Sequence, residues 1–574
     1  MSAACDSSLS SWQTVCDSKQ VITSDALQIL LLQLSCLLVE QASPHIHEAT
    51  NKKRGNKLRS LMAFAWPCLL GKNCVDPSSR YHGHLLLSHI IIRFAIHKKI
   101  VLQVFRSLLK AHAVEARAVV KQALEILTPS LPLRMEDGYT MLTHWTKKII
   151  VEEGHSMQQL FHILQLIVRH YKVYYPVRHH LVQNMVNSIQ RMGFSPSAAL
   201  DHRRLAVDLA EVIIKWELQR IKDEAEAAET RSGTPTPSGA VKRPLCSEEI
   251  AAIVEGARKR HAVITGTMLA PAVISKLDPL ISKPIERIHA DAILNILMRL
   301  ACQVNDANTT VGSPGEQLSR RCVTLLKMAL NPEVWPQQCD LKLNWLEKVF
   351  ASIDSESPNY GNICTALELL TYLLGIIKKE HILAGFKPLQ RGLSACITSS
   401  NLKVLRLVHG LLSRLMTIFP TEPTTSNVAS KYEELENLYA SVGKVVFEGL
   451  ANYEKNQQAS PSSLYGTLMM LKAACVNNQS YIDRLITPFM RVLQRMTKEH
   501  LSNHTATKNN PMACELLILS LDLVKNRVVV MGAEIRKTFI GTILVGLIEK
   551  STDIRIMKAI AKVKILGCFI LLNH

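Results

Sequence analysis

Amphipathic helix patterns follow one another from end to end of this chain, each closes at a Gly, Pro or Asn-rich turn, and no strand-period segment interrupts them. These three observations predict an all-α solenoid. Residues 157–216 show how each element is specified. Met157, Leu160, Phe161, Leu164, Ile167 and Val168 recur on one face of a first helix. After Tyr175-Pro176, a second helix carries Leu181, Val182, Met185, Val186 and Ile189, and the sequence predicts a left-handed C-cap at Gly193. Ser195-Pro196 supplies a cap and first-turn proline for a third helix. That helix has Leu205, Leu209, Val212, Ile213 and Trp216 inward, with Glu211 and Lys215 paired at i,i+4 outside. Each such helix leaves an apolar face that only a neighbour covers, so the expected fold is a HEAT/armadillo-like α-α superhelix. At ~40–47 residues per helical pair, 574 residues accommodate roughly 12–14 units.

Composition sets the partners. The 47% hydrophobic content supplies a continuous core, while aromatics at 5% leave the packing to Leu and Ile. Lys+Arg 67 against Asp+Glu 48 gives +19, which favours acidic partners. The denser basic stretches are Lys52, Lys53, Arg54, Lys57 and Arg59; His202, Arg203 and Arg204; and Arg258, Lys259 and Arg260. Each reads either as an interaction patch or as a solvated helix face. Tyr and Trp are not interleaved with them, as a single-strand stacking groove requires, so no direct sequence-specific nucleic-acid contact is expected. The longest apolar runs, 27–39 and 85–96, are too short and too interrupted to span a bilayer.

One segment departs from the helical grammar. Around Thr234-Pro235-Thr236-Pro237-Ser238-Gly239 little can be buried, so the expected organisation is a first helical arm over 1–226, a disordered linker over 227–247 and a second arm over 248–574. Thr234 and Thr236 each precede proline and are candidate phosphorylation sites, with an unmodified spacer as the other reading. Ser247-Glu248-Glu249 resembles a helix cap leading into Ile250, Ile253 and Val254. Longer loops are expected at 305–315, 420–430 and 503–511.

The chain carries no recognisable catalytic motif. No phosphate-binding glycine loop, nucleophile elbow, H-E-x-x-H or kinase signature is present, so no enzyme activity, cofactor or metal is expected. His82, His84 and His89 imitate a ligand set, but no acid or thiol stands at suitable spacing. His179-His180 beside Arg178 reads as a polar helix face. The 14 cysteines contain no C-x-x-C pair and mostly lie in apolar stripes, where they act as small hydrophobes of a reducing compartment. L-x-x-L-L occurs at 27–31, 34–38 and 370–374, inside longer apolar stripes, so all three are read as core.

At 547–555 an apolar helix ends in a short turn, and Asp553 and Arg555 open the next helix. That resembles the HEAT pattern in which an Asp/Arg ladder joins successive repeats; Asn331-Pro332-Glu333-Val334-Trp335 is a looser match. The wording then becomes specific. Val173-Tyr174-Tyr175-Pro176-Val177-Arg178-His179-His180-Leu181-Val182-Gln183-Asn184-Met185-Val186, with Met192-Gly193-Phe194-Ser195-Pro196 and Lys215-Trp216-Glu217-Leu218-Gln219-Arg220, resembles the transformation/transcription domain-associated family, very large pseudokinase scaffolds related to the phosphatidylinositol-3-kinase-like kinases. The resemblance runs from the first residues to about residue 560.

It implies a piece of a HEAT solenoid that acts in the nucleus, without catalysis, inside histone acetyltransferase coactivator complexes of the SAGA and Tip60 type. The implied partners are subunits of those complexes and acidic activation domains of transcription factors of the Myc type. A karyopherin-like or other HEAT-solenoid binding scaffold is the alternative, although the basic balance does not supply an acidic cargo groove. The apolar stretch 564–572 predicts an end in need of a neighbour.

Overall fold

A computed structural model describes residues 24–46, 55–69, 76–114, 117–232, 283–305, 312–335, 341–420, 432–459, 464–476, 478–502 and 511–563. Among these residues there are helices and turns and no strand, as the apolar periodicity predicts. The chain divides into two compact units. The first comprises residues 1–296 with 333–335, and the second 297–332 with 336–574.

In the first unit the principal helices are Asp25–Gln41, Gly55–Ala65, Pro77–Arg93, Lys98–Val114, Ala118–Leu127, Gly138–Glu153, Met157–Arg169, Val182–Phe194 and Leu200–Ser232. Leu160, Leu164 and Ile167 are buried on one helix, Val182, Met185 and Ile189 on the next, and Leu205, Leu209, Ile213 and Trp216 on the third. Glu211 and Lys215 pair outside, at 2.7 Å. Gly193 is a correction: the helix runs through it to Phe194 and stops at Ser195, which is extended (φ −61°, ψ 135°). The stop comes from Pro196, which disfavours the helical conformation in the residue before it. Among the described residues only Gly312 has a positive φ, 81°.

In the second unit, helices such as Pro314–Ala329, Tyr360–Leu373, Leu402–Ile418, Glu436–Lys455, Tyr465–Cys475, Ile486–Ser502 and Pro511–Val524 pack in succession. The expected loops at 305–315, 420–430 and 503–511 fall mainly outside the described residues, with helices starting at Pro314 and Pro511.

The repeat length is visible in polar contacts that step from one layer to the next. Trp216 Nε1 donates to the Tyr171 carbonyl 45 residues away, Arg169 to Glu125 at 44, Arg527 to Asp483 at 44, Tyr453 to Glu499 at 46 and Ser394 to Ser441 at 47. Arginine also closes helix ends across layers in both units. Arg191 donates to the carbonyls of Gly154 and His155, at the end of Gly138–Glu153. Arg495 reaches the carbonyls of Asn456, Gln457 and Ala459, just past Glu436–Lys455, at 2.8–3.1 Å. The last carbonyls of a helix have no intrahelical donor, and a cation there also complements the helix dipole.

At the expected ladder Asp553 pairs with Arg555 beside it, and its carboxylate also meets the Cys514 thiol of the earlier helix Pro511–Val524. Asp553 caps the helix Ile554–Ala561 through the Arg555 backbone N–H at 2.8 Å and holds the Arg555 side chain at 3.0 Å. The Arg555 hydrogen bonds pull the Asp553 carboxyl down to about 2.

The helix Leu200–Ser232 runs through 227–232, and residues 233–247 of the expected linker lie outside the described residues. Residues 283–296 lie in the same compact unit as 1–232, so the division between units falls at Ile296/Leu297.

Candidate functional site

Of the basic and phosphorylatable residues singled out in the sequence, Lys52, Lys53, Arg54, Arg258, Lys259, Arg260, Thr234 and Thr236 lie outside the described residues. Lys57 is half-buried and Arg59 exposed, on the helix Gly55–Ala65. His202, Arg203 and Arg204 diverge rather than forming one patch. The His202 ring stands edge-on to Phe161 at 5.4 Å, and Arg204 pairs with Asp201 at 3.1 Å. Arg203 is half-buried.

The histidines that imitate a metal site are each engaged separately. His82 binds the Ser78 carbonyl and Gln33, His84 the Arg80 carbonyl and Ser107, and His89 faces Glu40 at 3.2 Å. Burial pushes the His84 imidazole down to about 4, so it is neutral at physiological pH. Among the described residues no three His, Cys, Asp or Glu side chains are grouped to hold a metal. Burial raises the Cys36, Cys322, Cys396 and Cys475 thiols to about 12. At neutral pH such thiols are protonated and act as packing groups.

The densest polar chemistry in the first unit lies where the recognised wording lies. Arg178 is a second correction. The sequence places it on a polar helix face, yet its side chain is fully buried. Its guanidinium covers the Tyr175 ring at 4.4 Å and donates to the carbonyls of Tyr175 and Lys283 at 3.0 and 3.2 Å. Burial lowers the Arg178 pKa, and the negative charge of Glu217 offsets part of that penalty.

Glu217, only 1% exposed, accepts from Arg220 Nε and Nη2 at 2.9 and 2.7 Å and from the Ile285 backbone N–H at 3.1 Å. Tyr175 Oη donates to Asp223 at 2.6 Å. Buried charges persist where several donors and acceptors satisfy them together. Here they do so while gripping the backbone at 283–285. The device ties residues 283–285 to the elements that carry Arg178 and Glu217.

Two surface stripes went unrecognised in the sequence. On Lys98–Val114, Lys99, Gln103, Arg106 and Lys110 are exposed at i, i+4, i+7 and i+11, and that helix contains no carboxylate. The Arg106 guanidinium lies over the ring of half-buried Trp145 at 4.8 Å, and the Lys148 ammonium lies 5.2 Å from the same ring. Neighbours in sequence define the three patches read above, whereas this stripe appears only when cations are counted at helical spacing. The second stripe is apolar: Leu27, Leu30, Leu34 and Leu37 are all solvent-exposed on Asp25–Gln41. It corrects the core reading of L-x-x-L-L at 27–31 and 34–38. The match at 370–374 is core, with Leu370, Leu373 and Leu374 buried.

Stacked helical hairpins with polar contacts recurring every 44 to 47 residues define a HEAT-type helical-repeat protein. The model of the Tra1 HEAT repeat ring region matches residues 6–565, and the chain belongs to that family. It is 58% identical over 554 residues to the transformation/transcription domain-associated protein of Homo sapiens, an alignment covering 95% of this chain and 14% of that protein. It is 56% identical to the transcription-associated protein 1 of Drosophila melanogaster, covering 94% of this chain and 14% of that protein. A more distant relative, 24% identical over 93% of this chain and 13% of its own length, is the SAGA complex/NuA4 acetyltransferase complex subunit TRA1 of Saccharomyces cerevisiae. The chain thus spans about one seventh of the length of these relatives.

Proposed function

We propose that this chain is a non-catalytic scaffold segment of a nuclear histone acetyltransferase coactivator complex, docking transcription activators to chromatin-modifying machinery. The observation that carries this reading is the family match over residues 6–565, in a family whose yeast relative is named as a subunit of the SAGA and NuA4 complexes. The physical character of the chain supports it. A stack of helical hairpins presents a long succession of side-chain rows, the shape other repeat proteins use to bind extended partners. A net charge of +19 steers acidic, disordered activator segments, including those of the Myc type, toward that surface. Among the described residues no helix is long and apolar enough to cross a membrane.

The test is affinity purification of the tagged chain from nuclear extract at low and moderate salt, with mass spectrometry of what co-purifies. Acetyltransferase-complex subunits together with activators that wash off as salt rises are expected. A partner set free of both, from a soluble and folded bait, overturns the reading. Activator binding that salt leaves unchanged overturns the electrostatic part alone.

A further inference from the structure

We propose that the face formed by Lys99, Arg106 and Lys110 with Trp145 and Lys148 is a docking surface for an acidic peptide segment carrying one or two apolar anchors. The inference rests on the docking reading above and assigns it a place.

Charge comes first. Lys99, Arg106 and Lys110 form one stripe on a helix without a single acid, and none of the three makes an ion pair among the described residues. Three carboxylates of neighbouring elements are already engaged by cations other than Lys99, Arg106 and Lys110, one of them by Lys148 of this face. Asp137 pairs with Lys98 at 3.7 Å, Glu125 with Arg169 at 3.1 Å, and Glu152 with Lys148 at 3.5 Å. The cations of the stripe therefore keep their field directed at solvent.

Shape comes second. From residue 99 to residue 110 the stripe is about 16 Å long, matching about five residues of extended peptide. Trp145 supplies a large apolar surface beside it, and cations resting on the ring hold it in place. Val151 is exposed on the same helix as Trp145, in register with His144 and Lys147. An acidic segment with an aromatic or aliphatic residue among its carboxylates would pair charge with the stripe and lay that residue against Trp145. A single nucleic-acid strand is matched less well, because it stacks on successive rings and here one ring stands beside the stripe.

The experiment uses the full chain and a fluorescein-labelled peptide of about ten residues, rich in Asp and Glu with one Phe and one Leu, followed by fluorescence anisotropy at low and near-physiological salt. The double variant Arg106→Glu/Lys110→Glu is expected to weaken binding by at least about tenfold, while Arg204→Glu leaves it within about twofold. Arg106→Gln/Lys110→Gln, expected to weaken binding in the same direction, replaces the reversal if that disturbs the helical circular-dichroism melt.

Wild-type binding that survives the double variant overturns the assignment of this face and leaves the docking reading standing. A wild-type chain that does not bind the acidic peptide at all overturns both. A single-stranded oligonucleotide of equal charge that displaces the peptide and binds more tightly overturns the choice of partner.

Discussion

The helices Asp25–Gln41 and Tyr360–Leu373 share the same L-x-x-L-L spelling and have opposite fates. On the first, Leu27, Leu30, Leu34 and Leu37 are 50%, 62%, 46% and 56% exposed. On the second, Leu370 and Leu373 are each 1% exposed, and Leu374, just beyond its end, is 4% exposed. The local pattern does not decide this. Tyr360–Leu373 packs against both Pro314–Ala329 and Leu402–Ile418, whereas Asp25–Gln41 buries Leu32, Cys36 and Val39 chiefly against Pro77–Arg93. In a solenoid a leucine is core only when its helix has a neighbour on that side, so burial is a property of position in the stack.

The contrast is broken or upheld most directly by truncation. Leu370→Ala is expected to cost about 2–5 kcal/mol, because it removes packed methyl groups and leaves a cavity. Leu34→Ala should change stability by no more than about 0.5 kcal/mol, as an exposed substitution does. Denaturant melts of the two variants, read by circular dichroism, check both. Equal losses would mean that Leu34 is covered in solution.

A polar intruder in the same buried neighbourhood sharpens the comparison. His409, on Leu402–Ile418, is 2% exposed, and neither ring nitrogen has a hydrogen-bond partner. A buried polar atom left unsatisfied costs about 1–3 kcal/mol, so His409→Leu is expected to raise the denaturation midpoint. Burial holds the imidazole down at about 4, well below its usual value. Since the unfolded chain then binds a proton the folded chain refuses, His409 destabilises the fold progressively as pH falls from about 6.5 towards 4. Stability should therefore decline on acidification across that window, and His409→Leu should flatten part of the decline. In the first unit His84 and His112, also held at about 4 chiefly by burial, and His89 and His170, lowered chiefly by burial, add to the decline.

The smallest expected effect is on the surface. Lys215→Ala removes an exposed i,i+4 partner from Glu211 and should cost no more than about 0.5 kcal/mol.

The sequence made the helices legible because their apolar periodicity is local. Leu205, Leu209, Ile213 and Trp216 are inward as the pattern requires. What it could not show is which outward-looking residue another layer covers. Arg178 looked like surface because its neighbours His179 and His180 are polar, and it is buried because residues 283–285 return over it from more than a hundred positions away. The Lys99–Arg106–Lys110 stripe was hidden for a different reason. Consecutive runs of charge catch the eye, while cations a turn apart do not, and Trp145 joins Arg106 only once two helices are packed.

The grip of Arg178 and Glu217 on 283–285 joins the chain on the two sides of residues 233–282 by non-covalent contacts, and the expected outcome is that these contacts outlast a break in that stretch. A protease site placed in that stretch and cleaved would give two polypeptides on a denaturing gel and a single peak, at unchanged elution volume, on a sizing column.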